Sequence, residues 1–330
     1  MEQRELGNQG LKVSQIGLGC MGMSEFYGQG DDAESLRTLH RALELGINFW
    51  DTADAYGPHT NELLVGKAMK GLRNKITLAT KFGIVRDKSN PTFRALSGKP
   101  EYVKKCCEDS LKRLDTDVID LYYLHRVDPN TPVEDTVGAM AELVKEGKIK
   151  AIGLSEVSAE TLVRMHSTVH PISAVQTEYS LWTRDPEDNI LQACKDNNIG
   201  FVAYSPLGRG FLTGQIKNFE DFAADDYRRF SPRFQGDNFQ KNLDLVNKIE
   251  KMAADKNCTP SQLAVAWLIA QGDFIFPIPG TKKIKYLEEN AQSVSIKLTK
   301  EELTEIDHLF PKNVAAGSRY PENMMGSINK

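Results

Sequence analysis

Eight short apolar runs, each followed by a stretch of helical spacing, recur along this 330-residue chain. They lie at 14–19, 47–50, 76–80, 118–124, 149–154, 172–176, 200–204 and 274–278. Their richness in β-branched and aromatic side chains reads as buried strand. A helix after every strand demands parallel strands joined by crossovers. Eight such units in a chain of this length predict an α/β fold, a (β/α)8 TIM barrel with residues 1–330 as one domain. Helices are expected from about Asp32 to Gly46, then at 62–69, 101–114, 133–146, 158–169, 187–197, 240–255, 260–271, 283–291 and 300–310. The turn Gly7-Asn8 within residues 4–13 predicts an N-terminal β-hairpin capping the bottom of the barrel. Residues 206–239, with Arg209, Arg228, Arg229 and Arg233, read as a long functional loop.

A net charge of −4 gives no basic surplus for nucleic acid. No apolar run approaches the ~20 residues of a membrane span. The first residues, Met1-Glu2-Gln3-Arg4-Glu5, lack the apolar core of a signal peptide, so a cytoplasmic location is expected. No heptad repeat or long apolar stripe is visible, and a monomer is expected. The five cysteines form no C-x-x-C pair, which speaks against a disulfide framework or zinc ribbon. Cys106 and Cys107 fall at helical spacing and are expected in the core.

Three of the runs end in an ionisable residue: Asp51 after 47–50, Lys81 after 76–80 and His125 after 118–124, with Tyr56 five residues beyond Asp51. Parallel α/β proteins place their active sites past the ends of several strands. Polar groups at strand ends often merely meet solvent, but four of complementary type at one end make a proton-donating site. Such a site needs no metal and no covalent nucleophile. Two other motifs are set aside. Gly17-Leu-Gly19-Cys-Met-Gly22 matches the spacing of a dinucleotide-binding loop, yet it opens onto loop-like residues rather than a helix. His166 and His170 have metal-compatible spacing, but no zinc-site pattern surrounds them and Pro171 ends the helix, so they are expected on the solvated surface.

The segments Gly46–Gly57 with Asn61-Glu62, Thr80-Lys81, and Leu121–His125 resemble the signature segments of the aldo-keto reductase family. Gly153-Leu154-Ser155, Val175–Tyr179, Ala203–Gly210, and Ile278–Lys282 with Glu289-Asn290 are similar to further family motifs. The resemblance runs along nearly the whole chain. It implies NADPH-dependent reduction of aldehydes and some ketones to alcohols, with a small-molecule carbonyl substrate and neither metal nor flavin. Tyr56 is then the general acid. A tyrosine with a pKa near ~10 is a weak donor at neutral pH, and the Lys81 ammonium is expected to lower it. Asp51 holds Lys81, and His125 donates to the substrate oxygen.

For the cofactor, the resemblance implies Tyr204 stacked on the nicotinamide and Gln176 and Ser155 on its carboxamide. Leu207, Gly208 and Arg209 lie along the pyrophosphate, and Thr281, Lys282 and Lys283 meet the 2′-phosphate. Glu289 and Asn290 sit near the adenine. Gly19, Cys20, Met21, Asp51, Ser205 and Gly280 complete the expected contacts. Two positions depart from many members: Glu156 stands where Asn is frequent, and Tyr286 where a phosphate-binding Arg is frequent. Met21, Met23, Phe26, Tyr27, Trp182, Arg319, Tyr320 and Pro321 are expected to shape the pocket. An aromatic aldehyde such as pyridoxal or a nitrobenzaldehyde suits those side chains. The resemblance also reaches barrel subunits that attach to potassium channels and carry the same tetrad, so a cofactor-sensing regulatory subunit is the alternative.

Overall fold

A computed structural model describes residues 1–28, 30–87 and 89–328. In chain order the strands are β1 (Gln3–Glu5), β2 (Lys12–Ser14), β3 (Leu18–Gly19), β4 (Phe49–Asp51), β5 (Thr77–Phe82), β6 (Ile84–Asp87), β7 (Asn90–Leu96), β8 (Ile119–Leu124), β9 (Ile149–Ser155), β10 (Ile172–Glu178), β11 (Gly200–Tyr204) and β12 (Ile275–Pro277). The helices are α1 (Asp32–Glu44), α2 (Thr60–Met69), α3 (Pro100–Leu114), α4 (Val133–Lys145), α5 (Ala159–Thr168), α6 (Ile190–Asp196), α7 (Asp237–Asp255), α8 (Pro260–Ala270), α9 (Ile284–Gln292), α10 (Lys300–Leu309) and α11 (Glu322–Met325).

Eight strands pair in parallel in the order β3-β4-β5-β8-β9-β10-β11-β12. The ring closes where Gly17 N–H donates to Pro277 O at 2.9 Å and Gly19 bridges Gly280 in parallel. A Cβ at Gly19 would come within 3.0 Å of Ile278 O, so glycine allows this close approach. The eightfold alternation thus closes as the barrel that the sequence predicts.

The strand period of two sorts the side chains into two cores. Phe49, Ala79, Leu121, Tyr123, Ala151, Ala174, Val202 and Phe276 fill the barrel interior, and Leu6, Leu11 and Val13 from the β1–β2 hairpin plug it. Trp50, Leu78, Tyr122, Leu124, Ile152 and Val175 point outward to the helices. Gly153 gives way to the Tyr123 ring, which a methyl at 153 would overlap. Gly153→Ala should therefore cost about 1–3 kcal/mol of overpacking. Urea unfolding measures it, and an unchanged midpoint would show that the ring has room to swing.

Two differences from the sequence reading stand out. The hairpin β6–β7 follows β5 directly and was not expected there. The segment 206–239 is less irregular than a loop: 3₁₀ turns occupy Gly208–Thr213, Phe219–Asp221, Tyr227–Phe230 and Pro232–Phe234. Cys106 and Cys107 are buried in α3, facing the core. His166 and His170 are half-buried rather than solvated. His166 Nδ1 accepts from Ile172 N–H at 3.1 Å, and His170 Nδ1 lies 2.8 Å from Pro171 O. Among the described residues no helix is long and apolar enough to cross a membrane, and no His/Cys/Asp/Glu group could hold a metal.

Candidate active site

The inward register of each strand, continued to its C-terminal end, generates the site. Phe49 is followed two residues on by Asp51, Ala79 by Lys81, Tyr123 by His125, Gly153 by Ser155, Ala174 by Gln176 and then Glu178, and Val202 by Tyr204. Chemistry-bearing residues thereby gather at one mouth of the barrel. Thr80, pointing outward, instead donates to Glu62 Oε1 at 2.6 Å, and Arg113 caps the other oxygen at 2.6 Å.

Lys81 is fully buried. Its ammonium donates to Asp51 Oδ1 at 2.5 Å, to Thr52 O at 2.8 Å and to the Tyr56 hydroxyl oxygen at 3.4 Å. Burial pulls its pKa down, but Asp51 and Tyr56 outweigh burial and the ammonium is held charged. Because Lys81 donates to the phenol oxygen, the Tyr56 hydroxyl proton remains available to another acceptor. Burial pushes the Tyr56 pKa up, and the opposing pull of Lys81 does not overcome it. The expected lowering is thus corrected: the ammonium acts in the expected direction, but desolvation of the phenolate wins. The His125 ring meets Tyr56 edge-on, centroids 5.8 Å apart at 85°. Burial drives the imidazole well below its ordinary pKa, and the Arg126 and Lys81 cations push the same way, so His125 is neutral at pH 7.

The Tyr56 loop is braced from two sides. Glu25 accepts from Gly57 N–H at 2.9 Å and from Arg86 at 2.8 Å, while Arg86 also donates to Ala55 O at 2.8 Å. Asn61 at the start of α2 accepts from Thr52 Oγ1 at 2.6 Å and donates to Cys20 O and Ser24 Oγ, both at 2.8 Å. Glu25 and Arg86 escaped the sequence reading because they lie 61 residues apart and carry no motif.

The residues expected along a cofactor are spread over the same mouth, several of them already engaged. Gln176 donates to Asp51 Oδ2 at 2.8 Å, and Ser155 Oγ accepts from Arg126 at 3.1 Å. The Tyr204 hydroxyl donates to Glu156 Oε1 at 2.8 Å and meets the Tyr320 hydroxyl at 2.8 Å. Ser205, Gly208, Arg209 and Gly210 all take positive φ, turning the chain sharply after β11 with Leu207 among them. A Cβ at Gly208 would come within 2.7 Å of Trp182. Gly19, Cys20 and Met21 form the first loop, where Cys20 N–H donates to Asp51 O at 2.9 Å. Gly280 adjoins Gly19 across the closed seam. Thr281 Oγ accepts from Lys283 N–H at 3.1 Å, and Lys283 Nζ meets Glu34 at 2.7 Å. Lys282 Nζ donates to Tyr27 O at 2.9 Å. Asn290 is buried in α9, and Glu289 accepts from Thr259 at 2.8 Å.

A buried arginine–glutamate cluster lies beside these residues. Glu178 faces Arg209 at 3.3 Å and Arg233 at 3.2 Å, and accepts from Thr183 Oγ at 2.9 Å. Arg319, near the C-terminus, pairs with Glu156 at 2.5 Å and approaches Glu178 at 3.7 Å. Burial raises the Glu178 pKa, but Arg319, Arg209 and Arg233 outweigh it and hold it at about 2. Several residues expected to shape an open pocket are spoken for. Trp182 is buried against Phe211 and Phe234, Met23 is buried, and Arg319 is ion-paired. Tyr286 is exposed, with Lys285 over its ring at 5.8 Å.

Comparison with known proteins identifies a family. Residues 15–310 match the model of the aldo/keto reductase family. A soybean (Glycine max) protein described as probable aldo-keto reductase 1 is 48% identical over 318 residues, covering 96% of this chain and 91% of its own. Among solved structures, the glycerol dehydrogenase AKR11B4 from Gluconobacter oxydans superposes with a TM-score of 0.84 at 31% identity, covering 93% of this chain and 94% of its own. The aldo-keto reductase AKR11C1 from Bacillus halodurans, in its holo form, gives 0.79 at 30% identity, covering 97% and 98%.

Proposed function

The chain belongs to the aldo/keto reductase family, and from that premise we propose that it reduces aldehydes, and some ketones, with NADPH. The observation that carries the reading is the Lys81 ammonium held between Asp51 and the Tyr56 oxygen, beside a neutral His125. A reduced nicotinamide supplies the hydride for such a reaction. Tyr56 gives its proton to the carbonyl oxygen as negative charge develops there, and Lys81 stabilises the phenolate left behind. Neutral His125 carries one N–H, which orients the carbonyl oxygen and shares its charge. The residues suit a nicotinamide. Glu156 Oε2 is buried with no partner among the described residues, an acceptor that an amide NH2 group would satisfy. Tyr204 offers a ring beside it. The test is a panel of aromatic and aliphatic aldehydes with NADPH oxidation followed by absorbance. Failure to oxidise NADPH with any of them sinks the reading.

Cofactor choice gives a second test. Lys282 and Lys283 precede α9, where a helix start favours phosphate. Among their present acceptors are the Tyr27 and Gly28 carbonyls and the Glu34 carboxylate, which a 2′-phosphate can displace. Hydrogen bonds to a charged group are worth about 1.5–3 kcal/mol, roughly one to two decades in affinity. Replacing both lysines by Ala should weaken NADPH at least about tenfold and leave NADH nearly unaffected. Dissociation constants from fluorescence quenching at one salt concentration measure it, and equal losses for both cofactors would show that these lysines do not read the phosphate.

A further inference from the structure

Arg126 differs from the ion-paired arginines around the mouth. Arg209 and Arg233 face Glu178, Arg319 faces Glu156, Arg228 faces Asp226 and Arg86 faces Glu25. Arg126 meets only neutral oxygens: its Nη1 donates to His125 O at 2.6 Å and to Ser155 Oγ at 3.1 Å. Its Nε and Nη2 make no hydrogen bond among the described residues. Those two nitrogens share one edge of the guanidinium and present parallel donors, the fork that matches the two oxygens of a carboxylate. The side chain is half-buried, follows the neutral His125 directly, and its charge is felt at Tyr56.

The surrounding charges point the same way. Glu156 and Glu178 are the carboxylates paired with Arg209, Arg233 and Arg319, Glu156 acts on Arg126 only from farther off, and Lys81 and Asp51 cancel each other. Two positive charges remain in surplus, and an uncompensated cation in a partly dry cleft attracts an anion. Arg209 is the residue expected on the cofactor pyrophosphate, which takes up one of the two charges, and the other is left for Arg126 beside His125 at the substrate end.

We propose that Arg126 anchors a carboxylate on the substrate, so that the preferred substrates are carbonyl compounds that also carry a carboxylate. Tyr56 and His125 hold the carbonyl oxygen while the free edge of Arg126 takes the acid group. Arg126 acts in specificity, and the proton still comes from Tyr56.

The proposal rests on the reductase reading, and its test separates the two. 4-Carboxybenzaldehyde and its methyl ester present the same carbonyl with and without the charge. The protein should favour the acid about ten- to a hundredfold in kcat/KM, with the difference in KM, the range expected of charge-assisted hydrogen bonds. Arg126→Gln should bring the acid-to-ester ratio close to one, and Arg126→Lys, which keeps the charge but loses the fork, should restore part of it. Equal KM values for acid and ester, or a ratio that survives Arg126→Gln, overturn the proposal. Binding of benzoate against benzamide, read from intrinsic fluorescence with NADPH present, is independent of turnover. If neither aldehyde is reduced, the reductase reading fails. Tighter binding of benzoate that Arg126→Gln abolishes then still upholds the anion site, and equal binding of the two probes overturns it.

Discussion

Replacing Tyr56 by Phe should lower the turnover of an aldehyde by about 10²–10⁴-fold, the usual contribution of a positioned general acid. The ring, its edge-on contact with His125 and the loop braced by Glu25 and Arg86 all remain. Only the hydroxyl goes. Lys81 loses its longest hydrogen bond, 3.4 Å, and keeps Asp51 and Thr52 O, so its charge and place persist. The loss should therefore fall on kcat, with NADPH affinity close to that of the parent. Single-turnover kinetics and a fluorescence titration separate the two quantities. Near-parental turnover in the Phe variant would remove Tyr56 from the reaction.

The resting site explains why Tyr56 is proposed as donor rather than base. Burial raises its pKa, so the phenol stays protonated at neutral pH despite the neighbouring ammonium. The contribution of Lys81 comes when charge moves: a cation fixed beside the phenol oxygen stabilises the phenolate only as it forms. Asp51 and Gln176 keep that cation in one place, since Gln176 donates to the Asp51 oxygen that Lys81 leaves free. Sequence reasoning could foresee the sign of the Lys81 effect but not its outcome, because the competing desolvation depends on how deeply the folded site is packed.

The barrel was legible because it rests on local and repetitive signals. In the fold the strand period of two turns Phe49, Ala79 and Tyr123 inward, and the same parity places Asp51, Lys81 and His125, which the sequence marks as strand-end residues, at the mouth. The β6–β7 hairpin was not legible: Asn90-Pro91 interrupts it and no alternation of apolar residues marks it. The arginine–glutamate cluster was invisible for a different reason. Glu156 and Arg319 are 163 residues apart, and a charged residue destined for a buried pair looks in sequence like one destined for solvent. Trp182 shows the converse error. An aromatic expected to line an open pocket packs against Phe211 and Phe234 instead, and residue type alone does not distinguish these fates.

Glu178→Gln should cost about 3–5 kcal/mol of stability at pH 7, because it leaves buried guanidinium groups without their shared counter-charge. The amide keeps the size of the side chain, so packing is not the cause. Thr183 can still donate to its carbonyl oxygen, whereas Arg209 and Arg233 lose the anion they flank. The pH dependence identifies the origin of the loss. The arginines hold Glu178 at about 2 in the fold, below the ordinary 4.5, so the unfolded chain binds its proton first on acidification. The stabilisation is complete above about 4.5 and disappears as the pH falls toward 2. The gap between parent and Gln variant should accordingly be widest at neutral pH and close through that window. Urea midpoints for both proteins at several values from pH 7 down to the lowest at which the parent still folds follow the gap directly. A gap that stays constant with pH would place the loss in packing or hydrogen bonding rather than in the charge of Glu178.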